Sequence, residues 1–452
     1  MEGETQPPPP PPPAEVASEN PLPPGEMVGE SQPPPGEMVG ETQPLPACVS
    51  KVLDDDDLLA EIIVRVGFPT SLVRAAAVCR RWLGLASGRA FLRRFRKLHP
   101  PRLLGFYLEQ TEYWDGTARF FPMLPQPSPP ELAAVVRRAS FSLDFYNDAR
   151  TDMVGCWNGR VVTCLFASHF YKRKEFRSEI MYVVHSPLCS ERGMAVIPAL
   201  NLPIRDGNFC SYRQLFSKEE GHVYVMVEST RDERESTIHV YMLQNGDDAW
   251  RMHLTLAADN FIYALYTPNT ILVDDKIYMP NGCSEILVLD LTASSFTTIQ
   301  LPEGVDFRAA GTTKFSRADD ASAVYLIHTR ELQLRIWLHK GGKWLMVDTI
   351  CLREMCAHLL EDEPTALLKI NHMGDYTGEF LFLEIGRCAY YLDVKCRTLR
   401  KVFEVTEEDE YLGNIFPFMM SWPPIFPVLK DGPARFVSLP FNDLYSALLE
   451  VT

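Results

Sequence analysis

The first 50 residues of this 452-residue chain contain no lysine, no arginine and no aromatic side chain. They hold eight glutamates and 15 of the 36 prolines, and the stretch PPGEMVGESQP at 23–33 returns as PPGEMVGETQP at 34–44. Such a segment cannot bury enough apolar surface to offset the entropy lost on ordering. The composition therefore excludes a folded domain and predicts a disordered proline-rich tail over residues 1–50, either a ligand for SH3-like or WW-like domains or a solvated extension.

The chain also lacks the cysteine spacing of a zinc site. Its 11 cysteines include no C-x-x-C pair, and the closest two are Cys351 and Cys356. Reduced thiols are therefore expected rather than a disulfide scaffold. Near that pair stand His358 and Glu361, but without a second pair of ligands the segment LREMCAHLLEDE predicts a short amphipathic helix rather than a metal centre. No metal and no cofactor are expected.

Signals for export, membrane insertion and catalysis are missing as well. The start MEGETQPPPP has neither a basic nor an apolar region, and the apolar stretch FPFMMSWPPIFPVL has only 14 residues, interrupted by prolines. We expect a soluble intracellular protein, located in the cytoplasm, the nucleus or both. The net charge of −15 opposes nucleic acid and anionic membranes as partners. No GxSxG, HExxH or Rossmann glycine pattern occurs, so no catalytic residue is expected.

Residues 51–99 differ from the rest in charge and in periodicity, with ten basic against five acidic residues. Asp54 is predicted to cap a first helix, and Gly67 and Pro69 to end it. Ser87 is predicted to cap a third helix. The apolar stripes, at three- and four-residue steps, are Leu58, Leu59, Ile62, Ile63, Val66; Leu72, Ala75, Val78, Cys79, Trp82, Leu85; and Phe91, Leu92, Phe95, Leu98. Three helices this short make a small core, whose leftover apolar surface needs a partner.

A basic run lies within the predicted third helix and consists of Arg89, Arg93, Arg94, Arg96 and Lys97. It could bind nucleic acid or act as a nuclear import signal. The favoured interpretation is a solvated helix face, which would also steer association with an acidic partner.

From about residue 100 the apolar pattern changes to that of short strands. Four are predicted in one stretch, Thr270–Val273, Lys276–Met279, Ile286–Asp290 and Phe296–Leu301. Asp-Asp, Asn-Gly and Thr/Ser turns separate them, which indicates an antiparallel four-stranded unit. Gly341 and Gly342 likewise predict a hairpin turn rather than a phosphate-binding loop.

Similar units recur, and their last strands are predicted to open at Met194, Trp250, Phe296, Trp344 and Leu399. A four-strand unit repeating every ~45–55 residues is typical of β-propeller blades and excludes leucine-rich repeats. We expect a degenerate kelch-like β-propeller of about six blades over residues 100–452, the last blade formed by pairing residues 103–124 with residues 435–451. The polar segments Ser168–Ser178 and Ser229–Ser236 are candidate recognition loops or ordinary variable loops. The acidic run Glu407–Glu410 is expected to be an exposed loop, with recognition of a basic substrate as the alternative.

Three spaced elements in residues 51–99 together resemble an F-box of the type common in grasses: LDDDDLLAEI at 53–62, SLVRAAAVCRRW at 71–82 and FLRRF at 91–95. The run LLGFY with a β-rich region behind it resembles the associated domain of the plant family. The chain is thus a multidomain α plus all-β protein, with a tail, a three-helix F-box and the propeller. One departure is Asp54, which stands where the family usually has proline.

The resemblance implies a non-catalytic substrate receptor of an SCF-type cullin ubiquitin ligase. The F-box would bind a Skp-type adaptor, and through it the cullin and the RING subunit, while the propeller would recruit an unknown protein substrate. The implied adaptor-binding residues are Leu53, Leu58, Ile62, Val78, Cys79 and Trp82. Three alternatives stay open. Cys79 and Trp82 hold the helices together; or the protein is a propeller enzyme, scaffold or binding protein outside the ligase, with the helices as a packing or protein-interaction module; or Asp54 marks a weakened F-box that acts outside the ligase.

Overall fold

The structure, a computed structural model, describes residues 47–99, 102–110, 118–124, 129–143, 150–166, 180–200, 210–218, 223–231, 236–244, 246–257, 270–318, 323–356, 368–371, 379–406 and 412–420. Its α-helices are α1 (Ala47–Asp54), α2 (Asp56–Ile63), α3 (Pro69–Ala76), α4 (Arg80–Ala86), α5 (Arg89–Leu98) and α6 (Pro130–Arg138). The chain divides into two compact units, residues 1–55 and 56–452, so α1 lies in the first unit and the other helices in the second. No described helix has the length and apolar character needed to cross a membrane.

Two predictions about the start of the helical segment are wrong. Residues 47–50, assigned to the tail, form the beginning of α1, while the rest of the predicted tail lies outside the described residues. Asp54 is the last residue of α1 rather than an N-cap. The helix predicted to run to Val66 ends at Ile63 and continues only as a tight turn, in which Val66 N donates to Ile63 O at 3.1 Å.

The second and third predicted helices also need correction, because α3 and α4 replace one continuous helix. Cys79 has an extended backbone, with φ −161° and ψ 167°, and it serves as the N-cap residue of α4. Ser87 is not the cap of α5 but the C-cap of α4, and its Oγ donates to Leu83 O at 2.7 Å. Gly88 is the N-cap residue of α5.

Helices α2 to α5, here called the helical block, enclose a small core of their own. Its fully buried side chains are Leu59, Ile63, Val64, Leu72, Ala86 and Phe95. Arg102 connects the block to the strands that follow, because its guanidinium donates to Gly67 O at 3.1 Å and lies over the Phe68 ring at 5.7 Å. The carbonyl oxygen of Arg102 accepts a hydrogen bond from Met420 N at 2.9 Å, near the end of the last described strand.

The strands form six antiparallel sheets. Five have four strands each: β3 to β6 (Arg150–Trp157, Arg160–Phe166, Ile180–His185, Met194–Ile197), β7 to β10 (Cys210–Lys218, Val223–Arg231, Ser236–Gln244, Arg251–Ala257), β11 to β14 (Ile271–Val273, Lys276–Asn281, Glu285–Asp290, Ser295–Gln300), β15 to β18 (Thr313–Arg317, Val324–Arg330, Gln333–Lys340, Lys343–Cys351) and β19 to β22 (Leu368–Ile370, Phe380–Ile385, Cys388–Asp393, Thr398–Glu404). The sixth has the order β2 (Arg119–Pro122), β1 (Leu103–Gln110), β23 (Leu412–Met419).

This arrangement confirms the predicted six-bladed β-propeller. The four strands predicted within 270–301 are β11 to β14, with ends that agree within two residues. The predicted hairpin between β17 and β18 is also present, with Gly341 and Gly342 at φ 61° and 74°, the left-handed region that glycine adopts readily. In the four-stranded blades, first strands such as β11 are buried throughout, whereas last strands such as β14 and β22 are mostly exposed, which places the first strand of these blades innermost.

Apolar clusters fill the spaces between successive blades. One cluster, for example, joins the second and third sheets through Val225, Val240, Ile277 and Leu289. Two tryptophans repeat the same polar contact from one blade to the blade before it. Trp250 Nε1 donates to Pro198 O at 2.7 Å, and Trp344 Nε1 donates to Gln300 O at 2.9 Å. The degenerate repeat therefore keeps the same contact between blades although the blade sequences differ.

The ring closes where β1 pairs with β23, two strands about 300 residues apart in sequence. As predicted, residues 103–124 contribute to a blade that joins distant parts of the chain, through β1 and β2. The closing strand, however, is Leu412–Met419, and the predicted segment 435–451 lies outside the described residues. The register shifts between Leu108 and Gln110, so that Glu109 faces both Gly413 and Asn414, a β-bulge.

Acid lability is expected from a buried histidine in the first blade. Burial lowers the pKa of His185 to about 4, while a histidine in the unfolded chain titrates near ~6.5. As the pH falls through this window, the unfolded chain binds a proton that the folded chain does not, and the free energy of unfolding decreases. Thr163 Oγ1 lies 3.3 Å from His185 Nε2, and a glutamine at this position can still hydrogen-bond to it. Between about pH 7.5 and pH 5, the free energy of unfolding of the His185→Gln variant should fall by about 2 kcal/mol less than that of the unaltered chain. Thermal unfolding at both pH values checks this, and equal losses would contradict it.

Candidate functional site

Helix α2 has one buried and one exposed apolar side. Leu59 and Ile63 are fully buried, whereas Leu58 and Ile62 keep 47% and 48% of their surface exposed. Each pair is separated by four residues, so each lies along one side of the helix. About half of each side chain of the exposed pair is thus accessible to a partner.

A second exposed apolar side chain stands between α3 and α4. Val78 is 63% exposed, the highest value among the large apolar side chains that the structure describes as exposed. The neighbouring Cys79 is exposed and Trp82 is half-buried. We call Leu58, Ile62 and Val78 the exposed apolar set. Leu53, also predicted to bind the adaptor, is half-buried in α1, which belongs to the other compact unit.

Ion pairs stand beside the exposed apolar set. Asp56 at the start of α2 accepts from Arg81 of α4 at 2.7 Å, which fixes α2 against the helix that follows Val78. Glu61 pairs with Arg65 in the turn after α2 and with Arg94 of α5. The hydrogen bond from Arg94 is the main reason why the pKa of Glu61 lies below its ordinary value. All these groups are solvent-exposed or half-buried, so the pairs orient side chains more than they stabilise the fold.

A groove opens between α2 and α5 at the Glu61–Arg94 pair. Its volume is about 510 Å³, and Glu61, Arg65, Arg94, Lys97, Leu98 and His99 line it. We call it the cationic groove, because it has three permanent positive charges against one carboxylate. His99 closes its floor with a ring nitrogen 2.8 Å from Val64 O. Sequence analysis placed Arg94 and Lys97 on a solvated helix face but did not reveal the groove, which depends on the approach of α5 to Glu61 and Arg65 in the folded chain.

The propeller exposes a separate apolar run on the outer strand β18. Leu345, Met346 and Val347 are 52%, 58% and 49% exposed. The pairing of β18 with β17 shifts between Ile336 and Trp337, which leaves Val347 as an extra residue in a bulge. Three consecutive exposed apolar residues on an edge strand are unusual. Sequence analysis missed this run because LMV has no alternation from which its exposure could be deduced.

Two charged residues on inner strands pair with a carboxylate of their own blade. Arg213 donates to Glu228 at 2.9 Å, and Lys369 donates to Glu384 at 2.9 Å. Burial lowers the pKa of Lys314 to about 8. Among the described residues no cluster of three or more His, Cys, Asp or Glu side chains could hold a metal ion. These contacts support the blades.

Several candidate recognition segments lie partly or wholly outside the described residues. Residues 168–178 and 407–410 are outside them, as are His358 and Glu361. In the segment Ser229–Ser236, Ser229 belongs to β8 and Ser236 to β9, and residues 232–235 between the strands are outside the described residues. Cys356 is buried within a turn, whereas Cys351 is exposed at the end of β18.

Comparison with known proteins gives one family match. The model of the family described as "F-box protein AT5G49610-like, beta-propeller" matches residues 152–426, more than half of the chain. No curated protein matches the sequence. The match covers the propeller and ends short of the helical block, so the block must be judged from its own residues.

Similar solved structures include two lyases and a peptidase. An oligogalacturonate lyase in complex with manganese has 9% identity and a TM-score of 0.34, covering 68% of this chain and 88% of the other. An oligogalacturonate lyase from Vibrio parahaemolyticus has 9% identity and a TM-score of 0.31, with 68% and 89% covered. Prolyl oligopeptidase B from Galerina marginata, bound to a 35mer substrate, has 12% identity and a TM-score of 0.31, with 69% and 40% covered. At such TM-scores these likenesses carry no argument about what this chain does.

Proposed function

Because the chain belongs to the F-box protein AT5G49610-like β-propeller family, we propose that it is a non-catalytic substrate receptor of an SCF-type cullin ubiquitin ligase. In this proposal the helical block is the F-box and binds a Skp-type adaptor, which brings the cullin and the RING subunit. The propeller recruits a protein substrate. The helical block precedes the propeller in the chain, which suits a connector followed by a receptor.

The observation that supports adaptor binding best is the exposed apolar set. Leu58 and Ile62 occupy the outer side of a helix whose inner side is already sealed, and Val78 is more exposed than either. Apolar side chains that remain half-exposed after folding gain about 25 cal/mol per Å² when a partner covers them. A few such residues typically supply most of the affinity of an interface. Cys79 and Trp82 then serve at the margin, where they also support α4.

The proposed role needs no chemical group from this chain. A receptor accelerates ubiquitin transfer by holding a substrate lysine beside a ubiquitin-charged conjugating enzyme, which converts a bimolecular encounter into a nearly intramolecular one. The paired inner-strand charges and the rigid blades fit a binding platform. On the propeller, the exposed run Leu345–Val347 of β18 is the described surface that we propose for substrate contact.

Reconstitution from purified components tests this function. The full chain, a Skp-type adaptor and a cullin–RING pair are mixed and separated by size-exclusion chromatography with light scattering. We expect the chain to enter the cullin complex only when the adaptor is present. Failure to bind the adaptor, or binding to the cullin without it, would contradict the proposal and favour a propeller scaffold outside the ligase.

A further inference from the structure

The cationic groove is the clearest charged feature of the helical block. The chain as a whole carries a net charge of −15, yet Arg65, Arg94 and Lys97 converge on one groove and share a single carboxylate, Glu61. One carboxylate cannot neutralise three cations, so the groove keeps a net positive charge. A local positive field on an otherwise acidic protein attracts an anionic group selectively.

The groove adjoins the exposed apolar set through α2. Leu58, Glu61 and Ile62 follow one another at steps of three and one residues, so they share one side of the helix, and Arg65 in the turn after α2 contacts Glu61. A partner that covers Leu58 and Ile62 must therefore pass beside Glu61 and Arg65. Leu98, 52% exposed at the end of α5, adds an apolar side chain to the wall of the groove.

We infer that the cationic groove receives acidic side chains of the Skp-type adaptor, at the rim of the apolar contact. The inference rests on the proposed function and adds the second half of the interface, a charged one. A carboxylate of the partner fits the groove because Arg65 and Arg94 are already oriented by Glu61, which reduces the entropy lost when they bind. Nucleic acid fits less well, because the lining of the groove includes the carboxylate of Glu61, which repels phosphate, and the apolar side chain of Leu98.

Charges at the rim of an interface act mainly on the association rate. They guide the encounter over roughly a Debye length, about 10 Å at 0.1 M salt, and are screened as the salt concentration rises. Apolar contacts govern dissociation to a larger extent. The groove and the exposed apolar set should therefore be separable by kinetics and by salt.

Stopped-flow association of the full chain with a purified Skp-type adaptor tests the inference. Lys97→Glu, and Lys97→Glu combined with Arg65→Glu, should lower the association rate constant about 10-fold at about 50 mM salt, with little change at about 500 mM. The matched control is Arg137→Glu on α6, an exposed residue outside the block that changes the net charge equally. Circular dichroism melting checks the fold, and the single variant keeps the test valid if the double variant unfolds.

The outcomes separate this inference from the proposed function. Equal association rate constants for Lys97→Glu and Arg137→Glu, or rate constants independent of salt, would overturn the inference about the groove. Adaptor binding that still depends on Leu58 and Ile62 would leave the receptor role standing. Loss of binding in every form of the protein would remove both. Fluorescein-labelled 20-base-pair RNA and DNA duplexes are the nucleic-acid probes. Duplex binding that Lys97→Glu abolishes, with adaptor association unchanged, would assign the groove to nucleic acid instead.

Discussion

Replacing Leu58 and Ile62 together by aspartate is expected to abolish adaptor binding, with an affinity at least ~100-fold weaker than that of the unaltered chain. Both side chains are about half exposed on α2, so the change places two carboxylates in an apolar contact without opening the core of the block. Desolvating an unpaired charge at an interface costs several kcal/mol, more than the lost apolar contact itself. Isothermal titration calorimetry with a purified Skp-type adaptor gives the change directly.

The matched control for this prediction is Met346→Asp on β18. Met346 is 58% exposed, so the control introduces one aspartate at a similarly accessible apolar residue, but on the propeller. We expect its adaptor affinity to equal that of the unaltered chain. If both variants lose affinity alike, or if the Leu58 and Ile62 variant binds normally, the exposed apolar set is not the adaptor contact.

The second large effect is expected at the point where the ring closes. A Cβ at position 413 would lie 1.7 Å from the carbonyl oxygen of Glu109, a backbone atom that cannot move without breaking the pairing of β1 with β23. Gly413→Ala should therefore destabilise the propeller by about 3 kcal/mol or more and lower its melting temperature by on the order of 5–10 °C. Thermal unfolding followed by far-UV circular dichroism measures this change.

The bulge at Glu109 explains why the effect should spread beyond one strand. Asn414 Nδ2 donates to Glu109 Oε2 at 2.9 Å, and Glu109 Oε1 accepts from Met153 N of β3 at 2.8 Å. On the other side, Asn371 Nδ2 donates to Gly413 O at 2.9 Å. The bulge thus connects the closing sheet to both neighbouring blades. A shift of Gly413 would therefore loosen the closing sheet and both neighbouring blades.

Gly84→Ala is the control for the closure prediction. Gly84 lies inside α4, and a Cβ there would meet no atom within 4 Å. Alanine favours a helix interior over glycine by about 1 kcal/mol, so this variant should melt at the same temperature or slightly higher. Equal losses for Gly84→Ala and Gly413→Ala would show that the close approach at Glu109 does not hold the ring.

The blade from Ile271 to Gln300 could be predicted from sequence because its turns have local signals. Asp274 and Gly282 both adopt positive φ, the conformation that Asp-Asp and Asn-Gly turns favour. The closing strand has no such signal. Pro417 argues against a strand when read alone, and β1, the partner of β23, lies about 300 residues earlier in the sequence. Register between distant segments depends on tertiary packing, which a single sequence does not reveal.

The helical block shows the same division between local and tertiary information. The alternation of exposed Leu58 and Ile62 with buried Leu59 and Ile63 follows from helical periodicity. Sequence analysis assigned Leu58 and Ile62 to the adaptor interface, and their binding to an adaptor stays a prediction. The break at Cys79 could not be predicted, because neither glycine nor proline marks it. Helix α6 was also missed, although Pro130 at its first turn and Glu131 beside it are ordinary helix-start residues.

Hydrogen–deuterium exchange of the full chain, with and without a saturating Skp-type adaptor, tests the central claim most directly. The account predicts that amides of α2 and of the α3–α4 segment, around Leu58, Ile62 and Val78, become protected when the adaptor binds. Amides of the propeller strands, including β18, should exchange at unchanged rates. Protection confined to the propeller strands, with the helical block unaffected, would contradict the division into an adaptor-binding block and a free receptor.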